Sequence, residues 1–289
     1  MFEGAYTAIV TPFNRDGQVD YGKLKALIDL QIRAGIDGIV PVGTTGESPT
    51  LDVSEHERVI ETTVAACKGR IKVIAGTGAN STAEALELTR FAQSVGADGT
   101  LQVTPYYNKP NQEGLYRHFS VVADLGLPVV LYNIPGRSGV EIAVDTVVRL
   151  AAHPKIVTLK EAGGNVNRVS QLSALCPSLC LLSGDDSLTL PFMIVGAKGV
   201  ISVASNVAPK AVADLVHAGL KNDWATARQL HVRYFRLFSD LFLDTNPIPV
   251  KAALAMMVLI EETYRLPLSP MAQGLRDRLA VCLKDAGLL

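Results

Sequence analysis

The sequence has few cysteines, little net charge and no long apolar run. Four cysteines in 289 residues are too few for a disulfide scaffold, so we expect reduced thiols. The 27 basic and 28 acidic residues nearly cancel, which argues against nucleic-acid or polybasic membrane partners. No apolar run approaches the roughly 20 residues of a transmembrane helix, and the first residues do not resemble a signal peptide. These absences favour a soluble cytoplasmic protein.

Recognisable sets of metal ligands are also missing. Cys176 and Cys180 are separated by three residues along the chain but have no second ligand pair, so a zinc site is not indicated. None of the five histidines falls at the end of a predicted strand. We therefore expect no catalytic histidine, no metal site and no organic cofactor.

Eight short apolar segments alternate with helical patterns along the first 205 residues. The steps between successive strand ends range from 19 residues (Gly184 to Val203) to 36 residues (Val42 to Gly78), about one βα unit each. This arithmetic predicts an α/β fold, the (β/α)8 TIM barrel. The predicted strand ends are Thr11, Val42, Gly78, Thr104, Asn133, Glu161, Gly184 and Val203.

A doubly wound open sheet is the alternative architecture. It requires a glycine-rich fingerprint after the first strand, and the segment from Thr11 to Asn14 contains no glycine.

A barrel needs only one helix after its eighth strand. Helical patterns at about 209–219, 223–243, 249–264 and 271–283 exceed that number. We divide the chain into a catalytic barrel, 1–223, and a small C-terminal helical region, 224–289.

Polar residues at three positions are typical of helix starts. Asp20 precedes a helix that Gly35 ends. Ser54 with Glu57, and Ser81 with Glu84, have the spacing of capping boxes. We expect helices to begin at these three points.

The segment Ile156–Ala162 carries the strongest chemical indication. It reads as a buried strand on which Ile156, Thr158 and Lys160 share one face. Burial disfavours the charged ammonium, so the pKa of Lys160 should fall and leave a neutral amine. Such an amine forms a Schiff base with a ketone. A lysine paired with the neighbouring Glu161 is the purely structural alternative.

Active sites of such barrels lie at the C-terminal ends of the strands, and that rule selects further polar residues. The loop Gly43–Ser48 has two glycines around two hydroxyls and could bind a carboxylate through its amides. Tyr132 should point into the barrel towards Lys160 on the next strand. Arg137, on a glycine-flanked loop, is suited to clamp a carboxylate. Each of these features also has a purely structural interpretation. The loop could be an ordinary turn, Tyr132 a core tyrosine and Arg137 a solvated arginine.

Together these motifs resemble a known family, the pyruvate-dependent class I aldolases that include the dihydrodipicolinate synthases and the N-acetylneuraminate lyases. The resemblance covers essentially the whole chain. The motifs shared with the family are Gly43–Ser48, Tyr132–Pro135 and Lys160–Ala162. Those closer to the dihydrodipicolinate synthase branch are Thr104–Asn108, Gly136–Gly139, Ser183–Asp186 and Asn246–Lys251.

The resemblance implies a lyase of diaminopimelate and lysine biosynthesis that condenses pyruvate with L-aspartate 4-semialdehyde. Lys160 would form the Schiff base, and Tyr132 would donate and accept protons. Thr44 and Tyr107 would complete a proton relay, with Tyr107 contributed by a neighbouring subunit of a homodimer, or of a homotetramer built as a dimer of dimers. Substrate contacts would come from Thr45, Arg137, Gly184 and Ile201.

Many members of this family are inhibited by L-lysine at a subunit interface. The positions that match this allosteric site are Ser48, Pro49, His56, Asn80, Glu84 and Tyr106. Val53 stands where some lysine-sensitive members carry a histidine. Feedback inhibition by L-lysine is therefore a hypothesis.

Two other functions remain open from the sequence. A sialic-acid or keto-deoxy-sugar aldolase would share Lys160, Tyr132 and the Gly43–Gly46 loop, but would not require Arg137 or Tyr107. A catalytically silent barrel that binds a keto acid would need only the loop. A metal-dependent lyase is disfavoured because no ligand set occurs at the strand ends.

Overall fold

The computed structural model describes residues 2–289. Eight parallel strands close into a barrel in sequence order, and the last strand pairs with the first. The (β/α)8 prediction is confirmed, and the open-sheet alternative is wrong. The strands are β1 (Gly4–Ala8), β2 (Gly38–Val40), β3 (Lys72–Gly76), β4 (Gly99–Val103), β5 (Val129–Asn133), β6 (Ile156–Glu161), β7 (Cys180–Ser183) and β8 (Gly199–Ser202).

Twelve α-helices connect and extend these strands within residues 2–289. None of them has the length and apolar character needed to cross a bilayer. Their bounds are α1 (Tyr21–Arg33), α2 (Val53–Cys67), α3 (Thr82–Ser94), α4 (Gln112–Ala123), α5 (Pro135–Ser138), α6 (Val144–Ala151), α7 (Val166–Leu175), α8 (Thr189–Ile194), α9 (Pro209–Leu220), α10 (Trp224–Asp240), α11 (Ile248–Met256) and α12 (Gln273–Asp285).

Side chains on each strand alternate between two apolar cores. On β5, Val130 and Tyr132 belong to the cluster inside the barrel. Val129 and Leu131 belong to the cluster between the barrel and its helices. Tyr132 therefore points inward, as its position in the strand predicted.

The strand β6 departs from strict alternation at its start. Ile156 pairs with Val129, whereas Thr158 pairs with Val130, so the strand carries an irregularity of one residue. As a result Ile156 packs with Leu159 in the outer cluster. The prediction that Ile156 shares a face with Lys160 is wrong, because a bulge shifts the alternation by one residue.

The helix starts were predicted with mixed success. Asp20 caps α1 by accepting a hydrogen bond from the Lys23 amide, as expected. The capping box of α2 is formed by Asp52 and Glu55, two residues before the predicted pair. Ser81 precedes α3, but its side chain makes no capping hydrogen bond. The spacing found the helices but not always the residue that caps them.

The C-terminal helices extend the barrel as predicted, although α11 is shorter than expected. It stops at Met256 because Val258 adopts a left-handed conformation, with φ of 60°. The Leu259 amide then donates to the Leu254 carbonyl, which closes the helix end. A glycine usually marks this turn, so the end of the helix could not be predicted from a valine. Leu254 shares an apolar cluster with Ile39 of β2. The domain boundary at 223 stays a prediction.

Candidate active site

The site is centred on two side chains from adjacent strands. Tyr132 of β5 is the register partner of Lys160 of β6. The Lys160 Nζ lies 3.9 Å from the centre of the Tyr132 ring. Both residues are buried inside the barrel mouth. The structure thus brings the predicted amine and phenol into direct contact.

Lys160 is not paired with its chain neighbour Glu161. The Glu161 carboxylate accepts hydrogen bonds from the Arg168 Nε at 2.9 Å and from the Gly163 amide at 2.7 Å. The pKa of Lys160 is lowered to about 7, mainly by burial; the negative charge of Asp186 opposes this fall and the positive charge of Arg137 contributes to it. A substantial fraction of neutral amine is therefore present at neutral pH.

The Glu161 carboxylate instead joins the ends of the two strands. Asn133 Nδ2 donates to Glu161 Oε1 at 2.9 Å, and the Ala162 amide donates to the Asn133 carbonyl at 2.9 Å. Arg168 completes a buried ion pair with Glu161. This network holds β5 and β6 in the register that sets Lys160 beside Tyr132. Arg168 lies on α7, and no role was predicted for it from the sequence.

Gly184 leaves room for the lysine side chain. A Cβ atom at this position would lie 3.0 Å from Lys160 Cε and 2.8 Å from the Ala162 Cβ. The 2.8 Å distance is too short for a real contact and the 3.0 Å distance is unusually tight, so a larger residue would require Ala162 and the Lys160 side chain to shift. Gly184 is therefore a steric requirement of the Lys160 conformation.

Tyr132 is a neutral phenol at neutral pH. Burial raises its pKa to about 12, while the charge of Arg137 and a hydrogen bond with the Thr44 side chain oppose that rise. A group in this state can donate a proton and can accept one when its hydroxyl is transiently ionised. Thr44 provides the polar contact from the neighbouring loop.

The loop from Gly43 to Ser48 is a tight turn. The Gly46 amide donates to the Gly43 carbonyl at 3.0 Å, and the Glu47 amide to the Thr44 carbonyl at 3.1 Å. A Cβ at Gly46 would lie 3.0 Å from the Val42 backbone, so glycine is needed there. The amides of Thr44 and Thr45 are not consumed by these turn hydrogen bonds.

A cavity of about 200 Å³ opens beside this loop. Its wall includes Thr44, Tyr132, Arg137 and Tyr106. Lys160 does not line it, but contacts the Tyr132 ring, which does. The cavity therefore combines hydroxyls and a guanidinium, and the Tyr132 ring in its wall also contacts the Lys160 amine.

Asn246, from the segment before α11, connects two of the predicted carboxylate contacts. Its Nδ2 donates to Thr45 Oγ1 at 3.0 Å. Its backbone carbonyl accepts from Arg137 Nη2 at 3.2 Å. Asn246 belongs to one of the motifs of the family resemblance, but no role was predicted for it, since the residue lies beyond the barrel strands.

Two predicted residues lie at different depths. Ile201, at the end of β8, is buried in the interior cluster with Tyr132. Tyr107 is 91% exposed, has a φ of 71°, and does not line the cavity of its own chain. Tyr107 is thus the one predicted catalytic side chain that the single chain leaves outside its site.

Asp186 is a buried carboxylate that the sequence analysis did not single out. It accepts from the amides of Val203 at 3.0 Å and Ala204 at 2.9 Å, and from the Ser202 hydroxyl. Burial raises its pKa to about 6. Its negative charge opposes the fall in the pKa of Lys160. Its position three residues after the end of β7 was the indication in the sequence that it could lie near the site.

A second cavity of about 200 Å³ adjoins the first. Its wall contains five of the six residues predicted for the allosteric site: Ser48, Pro49, His56, Glu84 and Tyr106. Asn80 is adjacent, and its Nδ2 donates to the Tyr106 carbonyl at 3.3 Å. His56 contacts the Gly76 carbonyl through Nε2 at 2.8 Å, and burial lowers its pKa.

No group of three or more His, Cys, Asp or Glu side chains between positions 2 and 289 is arranged to hold a metal ion. All four cysteines are free thiols, and all are buried.

The chain is similar to known proteins over its full length. The model of the dihydrodipicolinate synthetase family matches residues 1–286. A 4-hydroxy-tetrahydrodipicolinate synthase of Geobacter sulfurreducens is 51% identical over 291 aligned positions, covering 100% of both chains.

Solved structures agree with that similarity. The crystal structure of a chloride-inhibited dihydrodipicolinate synthase from Acinetobacter baumannii, complexed with pyruvate, has a TM-score of 0.98 at 47% identity and covers 100% of both chains. A lysine-bound enzyme from Cyanidioschyzon merolae has a TM-score of 0.97 at 41% identity, covering 100% of this chain and 99% of its own.

Proposed function

This chain belongs to the dihydrodipicolinate synthetase family, and we propose that it catalyses the condensation of pyruvate with L-aspartate 4-semialdehyde. The reaction is the 4-hydroxy-tetrahydrodipicolinate synthase step of diaminopimelate and lysine biosynthesis. The reaction belongs to the lyase class, and the mechanism proposed for it proceeds through a Schiff base on Lys160.

One observation carries the mechanism: among residues 2–289 no carboxylate is hydrogen-bonded to the buried amine of Lys160, which lies against a tyrosine ring. A neutral amine attacks the pyruvate ketone carbon, and loss of water gives an iminium. The iminium withdraws electrons from the methyl group, which can then lose a proton. The covalent intermediate itself is the electron sink, so the reaction needs no metal or organic cofactor.

The remaining steps require acid and base in turn. Tyr132, with Thr44, accepts and returns protons during formation of the iminium and its enamine. Thr45 and the loop amides bind the pyruvate carboxylate, and the backbones of Gly184 and Ile201 bound the substrate. Arg137 binds the carboxylate of the semialdehyde.

The carbon–carbon bond and the ring form last. The enamine carbon attacks the aldehyde carbon of the semialdehyde, which becomes a hydroxyl-bearing carbon. The semialdehyde amine then attacks the former ketone carbon and displaces Lys160 as the ring closes. One water leaves over the whole sequence, when the iminium forms.

Trapping with borohydride tests this proposal. Pyruvate plus borohydride should add one reduced pyruvate to the peptide that contains Lys160, as measured by peptide mass. An active enzyme without this adduct would contradict the mechanism, and an inactive chain without it would favour the silent keto-acid-binding barrel. Assays with N-acetylneuraminate and keto-deoxy-sugar acids distinguish the sugar aldolases. Full activity in EDTA is expected.

Tyr107 gives the proposal a quaternary component. Its side chain is 91% exposed, and we propose that it enters the site of a second subunit in a homodimer or in a tetramer of two such dimers. Sedimentation measures the assembly. Mixing inactive Tyr107→Phe with inactive Lys160→Met subunits should restore part of the activity, since one site of each mixed dimer would be intact.

L-lysine is proposed as an inhibitor at the second cavity. Glu84 supplies a carboxylate for an amino group, and Ser48 and Tyr106 belong to the walls of both cavities. A ligand in the second cavity can therefore act on the first through shared residues. Activity should fall when L-lysine is titrated to the millimolar range, and Glu84→Gln should weaken the inhibition. A flat titration would exclude this regulation.

A further inference from the structure

The catalytic loop is joined to the C-terminal helices by a buried ion pair. Glu47 Oε1 and Lys251 Nζ lie 2.5 Å apart, and both side chains are fully buried. The two residues are 204 positions apart in sequence. Lys251 belongs to α11, whereas Glu47 directly follows the segment with Thr44 and Thr45. The pair therefore connects the predicted pyruvate loop to a helix outside the barrel.

The side chains around the ion pair offer its charged groups few other hydrogen-bond partners. The Lys251 Nζ lies 4.2 Å from the centre of the Phe13 ring and 5.4 Å from that of Tyr264. Glu47 Oε2 has no hydrogen-bond partner between residues 2 and 289. Loss of Lys251 would thus leave a buried carboxylate without its cation.

Glu47 also holds an unfavourable backbone conformation. Its φ is 55°, in the left-handed region that residues other than glycine rarely adopt. Such a conformation persists only where the surrounding contacts fix it. The Glu47 amide donates to the Thr44 carbonyl at 3.1 Å, so displacement of Glu47 would move Thr44 directly.

We propose that Glu47 and Lys251 are positioning residues for pyruvate binding, an inference that rests on the proposed function. Through their ion pair, α11 holds the loop in the conformation that presents Thr44 and Thr45. A buried ion pair contributes little net stability compared with apolar residues of similar size. We infer that the effect of this ion pair is on conformation, because it fixes the loop in one arrangement. Arg137 contacts Asn246 instead, so the semialdehyde contact depends less on the pair.

The double variant Glu47→Met/Lys251→Met tests the proposal because it removes both charges and leaves neither partner unpaired. We expect a folded protein whose KM for pyruvate rises about tenfold, since small misplacements of binding groups are costly. The KM for the semialdehyde should change less than about threefold. Borohydride should still trap pyruvate on Lys160, but at higher pyruvate concentrations. A purely structural pair would change unfolding and leave both KM values as they were.

A matched control removes another ion pair that involves the C-terminal helices. Arg278 Nη2 and Asp240 Oδ1 lie 2.6 Å apart and join α12 to α10 without contact to the loop. Asp240→Asn/Arg278→Met should leave the KM for pyruvate unchanged. If the first double variant does not fold, Glu47→Gln replaces it, with an expected rise of at least about threefold.

An unchanged KM in the folded test variant overturns the proposal, as does an equal rise in the control. Absence of both turnover and the Lys160 adduct in the unsubstituted enzyme is a different result. It would refute the proposed function, and the positioning role with it.

Discussion

Two buried lysines of this chain have opposite surroundings. Lys160 lies over the ring of Tyr132 at 3.9 Å, and Lys251 lies over the ring of Phe13 at 4.2 Å. Burial lowers the pKa of both. Only Lys251 has a carboxylate in direct contact, and the charge of Glu47 opposes the fall in its pKa.

The comparison shows that burial alone does not make a lysine reactive. An ammonium in contact with a carboxylate keeps its charge and acts as a fixed tether. An amine without such a partner loses its proton near neutral pH and becomes a nucleophile. At Lys160, the adjacent carboxylate of Glu161 is occupied by Arg168. The ion pair with Arg168 therefore holds this carboxylate away from the amine.

The largest expected effect distinguishes the two lysines by their chemistry. Lys160→Met should reduce kcat by at least about 10⁴-fold, the order of loss when a covalent nucleophile is removed. In the unsubstituted enzyme, pyruvate and borohydride should modify the peptide with Lys160 and leave the peptide with Lys251 unmodified. An adduct on Lys251 would contradict the comparison, because a paired ammonium should not react.

The second prediction compares the stabilities of matched methionine variants. Lys251→Met should lower the free energy of unfolding by about 3–5 kcal/mol, because Glu47 is left buried without its cation. Lys160→Met should cost less than about 1 kcal/mol, since methionine conserves much of the volume and no charged partner is stranded. Urea denaturation of both variants measures the difference. Equal losses would show that the two lysines are held in the same way.

The third prediction concerns a substitution that places a phenylalanine ring beside Lys160, as Phe13 lies beside Lys251. Tyr132→Phe keeps the aromatic contact and removes the hydroxyl near Thr44. We expect kcat to fall by about 10²–10³-fold, the range for loss of a positioned proton donor. Borohydride trapping of pyruvate on Lys160 should persist, although more slowly. Phe13→Leu is the control at the other lysine and should leave kcat within about threefold, a small change on the scale of catalytic losses.

Most of the barrel was predictable because strand ends recur with one βα unit between them. Tyr132 and Lys160 could be placed together since adjacent parallel strands bring equivalent positions side by side. The shift at Ile156 could not be predicted, because a bulge adds a residue without a sequence marker. The same holds for the left-handed Val258 that shortens α11.

The contacts made by residues outside the barrel could not be predicted from the sequence either. Asn246 and Lys251 reach the loop from positions more than 200 residues away along the chain. The strand-end rule selects no residue in that region, and helix periodicity does not show which helix covers which loop. Tyr107 remains a prediction of the family resemblance, since the site proposed for it belongs to a second subunit.

The smallest expected effect concerns Asp186, the carboxylate whose negative charge acts on Lys160. Asp186 is ionised above about pH 6, and its charge raises the pKa of Lys160 against the effect of burial. Formation of the pyruvate adduct should increase with pH and reach half its maximum near pH 7, where Lys160 loses its proton. Asp186→Asn removes the negative charge, so the pKa of Lys160 should fall and the half-maximum should move to lower pH. Asp185→Asn is the matched control and should leave it in place. Movement to higher pH in Asp186→Asn would mean that this carboxylate does not stabilise the ammonium, and that the two lysines differ for another reason.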